Sequence, residues 1–232
     1  GIRYAVKWTS TTAWSLAVPI GAGTNRLTLQ AFDCHGRLLT SLIDTIQVVN
    51  NSGVPSPLGF VVLNELHYHP INEGGGFVEL HNTHPHVAFD LSNWRLDGAD
   101  YTFAEGSVIL PGGFFVVTSD TNVFTLTYTN APLPGGQYAG TLQNDGELLR
   151  LVRPITTNLD EVIDAVRYSD RAPWPAAADG FGASLQSIDP ALERTRAANW
   201  AAATPTPGAP NSMRTTLTPF PSLWLNELLV FN

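Results

Sequence analysis

The chain has 232 residues and a formal charge of -8 at pH 7, with 44% hydrophobic but only 14% charged residues. That length holds one large or two smaller β domains, and an acidic surface with no Lys/Arg stripe repels phosphate backbones, so nucleic acid is not an expected partner. Anionic membrane surfaces are disfavoured for the same reason, no apolar run approaches the ~18 residues of a membrane span, and the single cysteine, Cys34, rules out an intrachain disulfide.

In residues 1–49, Trp14, Leu16 and Val18 alternate with polar or small neighbours, as do Leu27, Leu29 and Ala31, and later Ile46 and Val48. Period two over short runs predicts half-buried strands. The Gly21-Ala22-Gly23 and Asp33-Cys34-His35-Gly36 stretches between them carry turn residues. About four strands are visible where an immunoglobulin-like sandwich needs about seven, so this segment reads as a partial Ig-like β repeat. Residues 50–58, dense in Asn, Ser, Pro and Gly, read as a linker. From 59 to 212, strands are predicted at about 60–69, 77–82, 91–96, 101–103, 114–119, 148–152, 162–168 and 184–188. Turns at Asp97-Gly98, Pro111-Gly112-Gly113 and Asn144-Asp145-Gly146 separate them. Short helical turns are expected near 121–126 and 196–201. Residues 213–221 read as a second linker, and 222–232 as the first strand of a second copy of the central domain.

The expectation of a second copy rests on an echo. Leu63-Asn64-Glu65-Leu66 and Leu225-Asn226-Glu227-Leu228 are identical, each follows a Pro/Ser-rich stretch, and about one domain length separates them. The central segment continues with Tyr68-His69-Pro70, Gly76-Phe77-Val78-Glu79-Leu80-His81-Asn82 and Asp90-Leu91-Ser92-Asn93-Trp94-Arg95-Leu96. Leu110-Pro111-Gly112-Gly113-Phe114, Asn144-Asp145-Gly146-Glu147, Ala172-Pro173-Trp174-Pro175 and Ser184-Leu185-Gln186-Ser187-Ile188-Asp189-Pro190 follow, closing on Asn199-Trp200 and Pro207-Gly208-Ala209-Pro210-Asn211-Ser212. This ordered series resembles bacterial lamin-tail domains over some 150 residues. The resemblance implies an all-β, immunoglobulin-like β-sandwich without catalytic residues, of the kind appended to secreted nucleases, phosphatases and spore-coat-kinase-like proteins.

Strand alternation places Val78, Leu80 and the Trp94 indole toward the core and Glu79 away from it. Trp174, between two prolines, is expected to cover an open end of the core. Five of the six histidines fall between His67 and His86. His67, His69 and His81 are candidate zinc or copper ligands because neutral imidazoles bind both. No cysteine or fixed carboxylate completes a ligand spacing, however. Asn64, Glu65, Glu79 and Asn82 carry oxygens that calcium accepts, as do the loop acids Asp145, Glu147, Asp160, Glu161 and Asp164. The alternative role of Asn64 and Glu65 is to hydrogen-bond backbone at a sheet edge. Neither Gly-x-Ser-x-Gly nor His-Glu-x-x-His occurs.

The expected molecule is therefore a non-catalytic structural, adhesive or display module of a secreted or cell-surface bacterial protein, with no cofactor. Its expected partners are neighbouring domains of the same polypeptide and protein or carbohydrate at the cell surface. The alternative is a ligand-binding module for carbohydrate, with calcium in support. A row of exposed aromatics drawn from Tyr101, Phe103, Phe114, Tyr128 and Tyr138 would mark that second function.

Overall fold

A computed structural model describes residues 2–218. Two sheets face each other. The larger runs, in spatial order, Gly136–Gln137, Phe114–Thr118, Phe77–Asn82, Val61–His67, Ser184–Ser187 and Trp200–Ala203. The smaller runs Leu159–Arg167, Leu148–Thr156, Arg95–Asp97 and Tyr101–Thr102. Between them lies one core in which Leu63, Leu66, Val78, Leu80 and Leu185 of the first sheet meet Leu96, Leu149, Leu151 and Val166 of the second. Pairing that is antiparallel everywhere except between Gly136–Gln137 and Phe114–Thr118, with inward-facing apolar rows from both sheets, is the immunoglobulin-like sandwich expected from the strand pattern.

Local chemistry sets the strand ends. Gly98 has φ +105°, and a Cβ there would lie 2.6 Å from a Leu149 methyl, so no other residue fits the turn that pairs Arg95–Asp97 with Tyr101–Thr102. Trp94 is 4% exposed and packs in the core as the alternation predicts. The residues before it form a turn, in which Trp94 N–H donates to Leu91 O at 2.9 Å and Asn93 sits at φ 63°. The strand predicted from 91 therefore begins at Arg95. Trp174 is half-buried against the core, its ring 6.3 Å from that of Trp200.

Two stretches depart from the sequence reading, and one expected helical turn forms. The helical turn expected at 196–201 is a single 3-10 turn, Ala197–Asn199, followed by the edge strand Trp200–Ala203. The helical turn expected near 121–126 forms as the helix Thr121–Thr127, with Asp120 accepting from the amides of Asn122 and Val123. The domain also continues beyond 212. Thr215 N–H donates to Ile188 O and Leu217 N–H to Asp189 Oδ2, both at 2.9 Å, which ties the chain down to 217.

The N-terminal part forms two separate ladders. Lys7–Trp8 pairs with Trp14–Ser15, and Gly23–Phe32 pairs with Leu38–Asn50 in a long ribbon. Asp33 holds the ribbon's turn by accepting from the amides of His35 and Arg37. No sheet faces the ribbon among the described residues, so the expected partial sandwich is here a ribbon, with Leu42, Ile46 and Val49 exposed. Tyr4 reaches the sandwich and donates to Asp90 at 2.7 Å. The second linker ends, and the expected strand at 222–232 lies, outside the described residues.

Candidate functional site

The two central strands, Val61–His67 and Phe77–Asn82, are buried along their whole length. One side of each faces the sandwich core. The other side carries polar groups and is covered by a second layer.

A β-bulge makes this arrangement possible. Leu63 pairs with Leu80 and Glu65 with Glu79, which leaves Asn64 as the extra residue between them. A bulge places two consecutive side chains on one side of the sheet before alternation resumes. Leu63 and Leu66 thus enter the core while Asn64 and Glu65 both belong to the outer layer. Glu65 and Glu79 lie directly opposite one another in the ladder, each fully buried.

Residues 204–217 cross this outer face as a strap and saturate both carboxylates. Thr206 donates to Glu65 twice, from N–H to Oε1 and from Oγ1 to Oε2, both at 2.9 Å. Ser184 and Gln186 of the neighbouring strand also donate to Glu65. Gly208 N–H and Asn64 Nδ2 donate to the two oxygens of Glu79. Asn211 locks the bulge. Its Oδ1 accepts from Asn64 Nδ2 at 2.8 Å, while its Nδ2 donates to Asn64 O and Ser187 O, both at 2.9 Å. Burial raises the Glu65 carboxyl above its ordinary range despite these donors. Burial and then the charge of Glu65 hold Glu79 well above that range.

Asn64, Glu65 and Glu79 are therefore brought together, but not at the sheet edge expected for Asn64 and Glu65, because Ser184–Ser187 and Trp200–Ala203 extend the sheet beyond them. Their oxygens accept backbone and side-chain donors and so do not converge on an open coordination site. Asn82 lies apart and donates to Val87 O, Ile109 O and Leu110 O, closing a loop.

The histidines are not gathered. His67 lies under the helix Thr121–Thr127, its Nδ1 2.7 Å from Tyr128 Oη and its ring edge-on to Phe77. Burial, then the neighbouring His69, lower its pKa to about 4. His81 stacks on Phe114 with centroids 4.6 Å apart, and burial followed by Arg214 lowers it to about 4 as well. His69, past the strand end, pairs with Asp179 at 2.7 Å. Among the described residues no group of three His, Cys, Asp or Glu side chains could hold a metal ion.

Most of the loop acids have other duties. Asp160 and Glu161 pair with Arg95 and Arg153. Glu147 accepts from Tyr168 Oη at 3.0 Å. Asp164 meets Arg194 at 3.1 Å and also accepts from Leu63 N–H, pinning the loop after 189 to the central strand. The aromatic row does not form. Phe103 and Tyr138 are buried, and Tyr101, Phe114 and Tyr128 are half-buried against neighbouring rings. The strap is what sequence reasoning missed. Its Pro205, Pro207 and Pro210 break strand periodicity, and only the polarity of Thr206, Asn211 and Ser212 hinted at partners beneath.

No helix among the described residues is long and apolar enough to cross a membrane. None of the curated proteins and none of the solved structures compared with this chain matches it. A family model described as Lamin Tail Domain matches residues 55–170, which takes in the whole smaller sheet and four of the six strands of the larger. With half of its length matched and an immunoglobulin-like sandwich built on that half, the chain belongs to the lamin tail domain family.

Proposed function

We propose that this chain is a non-catalytic module of a secreted or cell-surface, multidomain bacterial protein, where it spaces, orients or anchors neighbouring domains. The observation that carries this reading is the saturation of Glu65 and Glu79. Paired buried carboxylates with raised pKa values are where acid–base chemistry is first sought. Here all four of their oxygens accept donors that hold the strap and the bulge in place. The carboxylates serve the closure of the fold and have no oxygen left for a substrate. Membership of a non-catalytic immunoglobulin-like family and the scarcity of charged residues support the same reading.

The test is removal of this segment from its parent protein in the cell of origin. Loss of surface retention, with the parent's other activities unchanged, is the expected result. Unchanged retention, or turnover of substrate by the isolated chain, would refute the proposal.

A further inference from the structure

We propose that the cleft between residues 68–76 and 138–145 binds a neutral carbohydrate chain. The cleft has a volume of about 740 Å³, within the roughly 300–1,000 Å³ of small-ligand sites. Its floor is made by the buried side chains of Tyr68, Tyr138 and Leu142. At its rim, Glu73, Asn144 and Asp145 are exposed. None of these three side chains has a hydrogen-bond or ion-pair partner among the described residues, unlike most acids elsewhere on the sandwich.

The lip of the cleft is apolar. The loop 179–182 is fastened to the cleft wall at three points. Asp179 pairs with His69, Gly180 packs on the His69 ring, and Gly182 lies against Ile71, where a Cβ would come within 2.7 Å of Cδ1. Phe181 sits between those glycines, next to the cleft wall though not part of its lining, and is 76% exposed; Ile71, which lines the cleft, is 71% exposed. A phenyl ring held in solvent by a fastened loop contributes nothing to the core, which leaves its face open to a ligand lying along the polar rim.

Charge and chemistry narrow the ligand. No Lys or Arg lines the cleft and its one histidine, His69, is already engaged by Asp179, so phosphate, sulfate and uronate groups find no free counter-charge beside Glu73 and Asp145. Carboxylates accept, and an amide both donates and accepts. Such a set matches neighbouring sugar hydroxyls, each of which is donor and acceptor at once. Ile71 in the cleft wall and the exposed Phe181 ring next to it supply apolar surface of the kind on which the C–H face of a pyranose ring packs. The walls are loop segments, and peptides are typically taken up by a strand edge or a helix groove.

Calorimetric titration of the whole chain with cellohexaose, xylohexaose, chitohexaose and mannohexaose tests the proposal, together with amide shift mapping. Saturable binding of at least one probe is expected, with shifts at Gly74 and Asn144. Phe181→Ala and the double variant Asn144→Ala/Asp145→Ala should each weaken that binding by about tenfold or more. Leu133→Ala, which alters an equally exposed side chain outside the cleft, should leave it unchanged. The altered side chains are exposed, so the variants keep the fold. The proposal is overturned if no probe saturates, if both cleft variants bind as the parent does, or if an oligolysine peptide occupies the cleft in preference to all four sugars.

Discussion

Replacing Asn211 with Ala tests whether the strap is part of the fold or merely rests on it. The change deletes three good hydrogen bonds, one from Asn64 Nδ2 and two to the carbonyls of Asn64 and Ser187. Asn211 and Asn64 are both buried, and the carbonyl at a bulge has no ladder partner of its own. A net hydrogen bond contributes about 1 kcal/mol, and a buried group left unpaired costs about 1–3 kcal/mol. The strap lies at the surface, where Met213 and Arg214 are exposed, so water replaces part of the loss. A destabilisation of about 2–4 kcal/mol follows. Urea unfolding should show a lower midpoint at unchanged m-value, and the amides of Thr206, Gly208 and Thr215 should exchange faster. Asn211→Asp keeps the shape but points a carboxylate at two carbonyls beside Glu79. It should cost more than Ala at neutral pH and recover in acid as the new carboxyl protonates. A loss below about 0.5 kcal/mol for Asn211→Ala, with strap exchange unaltered, would show that the strap is not what closes the outer face.

Trp94→Ala should cost about 3–5 kcal/mol in the same urea assay, as expected for a large aromatic removed from the core. Glu65, Glu79 and Asp164 all have raised pKa values, chiefly from burial. Above the unfolded carboxylate range the native state therefore holds more protons than the unfolded chain, and stability should decline as pH rises through the raised values. Glu79→Gln should flatten that decline. His67 and His81 act in the opposite direction, because each is held near 4 when folded against 6.5 when unfolded. Stability they permit at neutral pH is lost as pH falls from 6.5 toward 4, and comparison with Glu79→Gln separates the carboxylate effect from it. His81→Phe, which keeps the stack on Phe114, should reduce the acid loss seen in urea melts.

The sandwich was legible because its signals are local. Turn residues at Asp97-Gly98 and Asn144-Asp145-Gly146, and alternation in Phe77–Asn82, each act within a few residues. The side of Glu79 followed from alternation alone, but its burial did not. Burial depends on Gly208, distant in sequence and visible only once the sheet is assembled. The shift from helix to strand at Trp200–Ala203 has the same origin. Three consecutive alanines favour helix, yet pairing with Ser184–Ser187 supplies a ladder that overrides the preference. The histidines between 67 and 86 are close in sequence but not in space. His67 and His81 lie near opposite ends of a pair of strands, and each is taken up by its own aromatic neighbour.

The bulge explains why a short motif serves as the organising element of the whole domain. In Leu63-Asn64-Glu65-Leu66 the two leucines bind the sheet to the core, and the two polar residues between them are displaced together to the other side. That displacement creates a demand, since a carboxylate and a carboxamide on the outer face of a central strand must be covered and satisfied. The family match ends at 170, but the groups that meet the demand come later, from Ser184, Gln186, Thr206, Gly208 and Asn211. Without Ser184–Ser187 the strand Val61–His67 would be an edge, and Glu65 would face water with an ordinary carboxylate's freedom. The chain beyond 170 is thus not an appendage to the sandwich but the part that buries and satisfies the polar residues of Val61–His67.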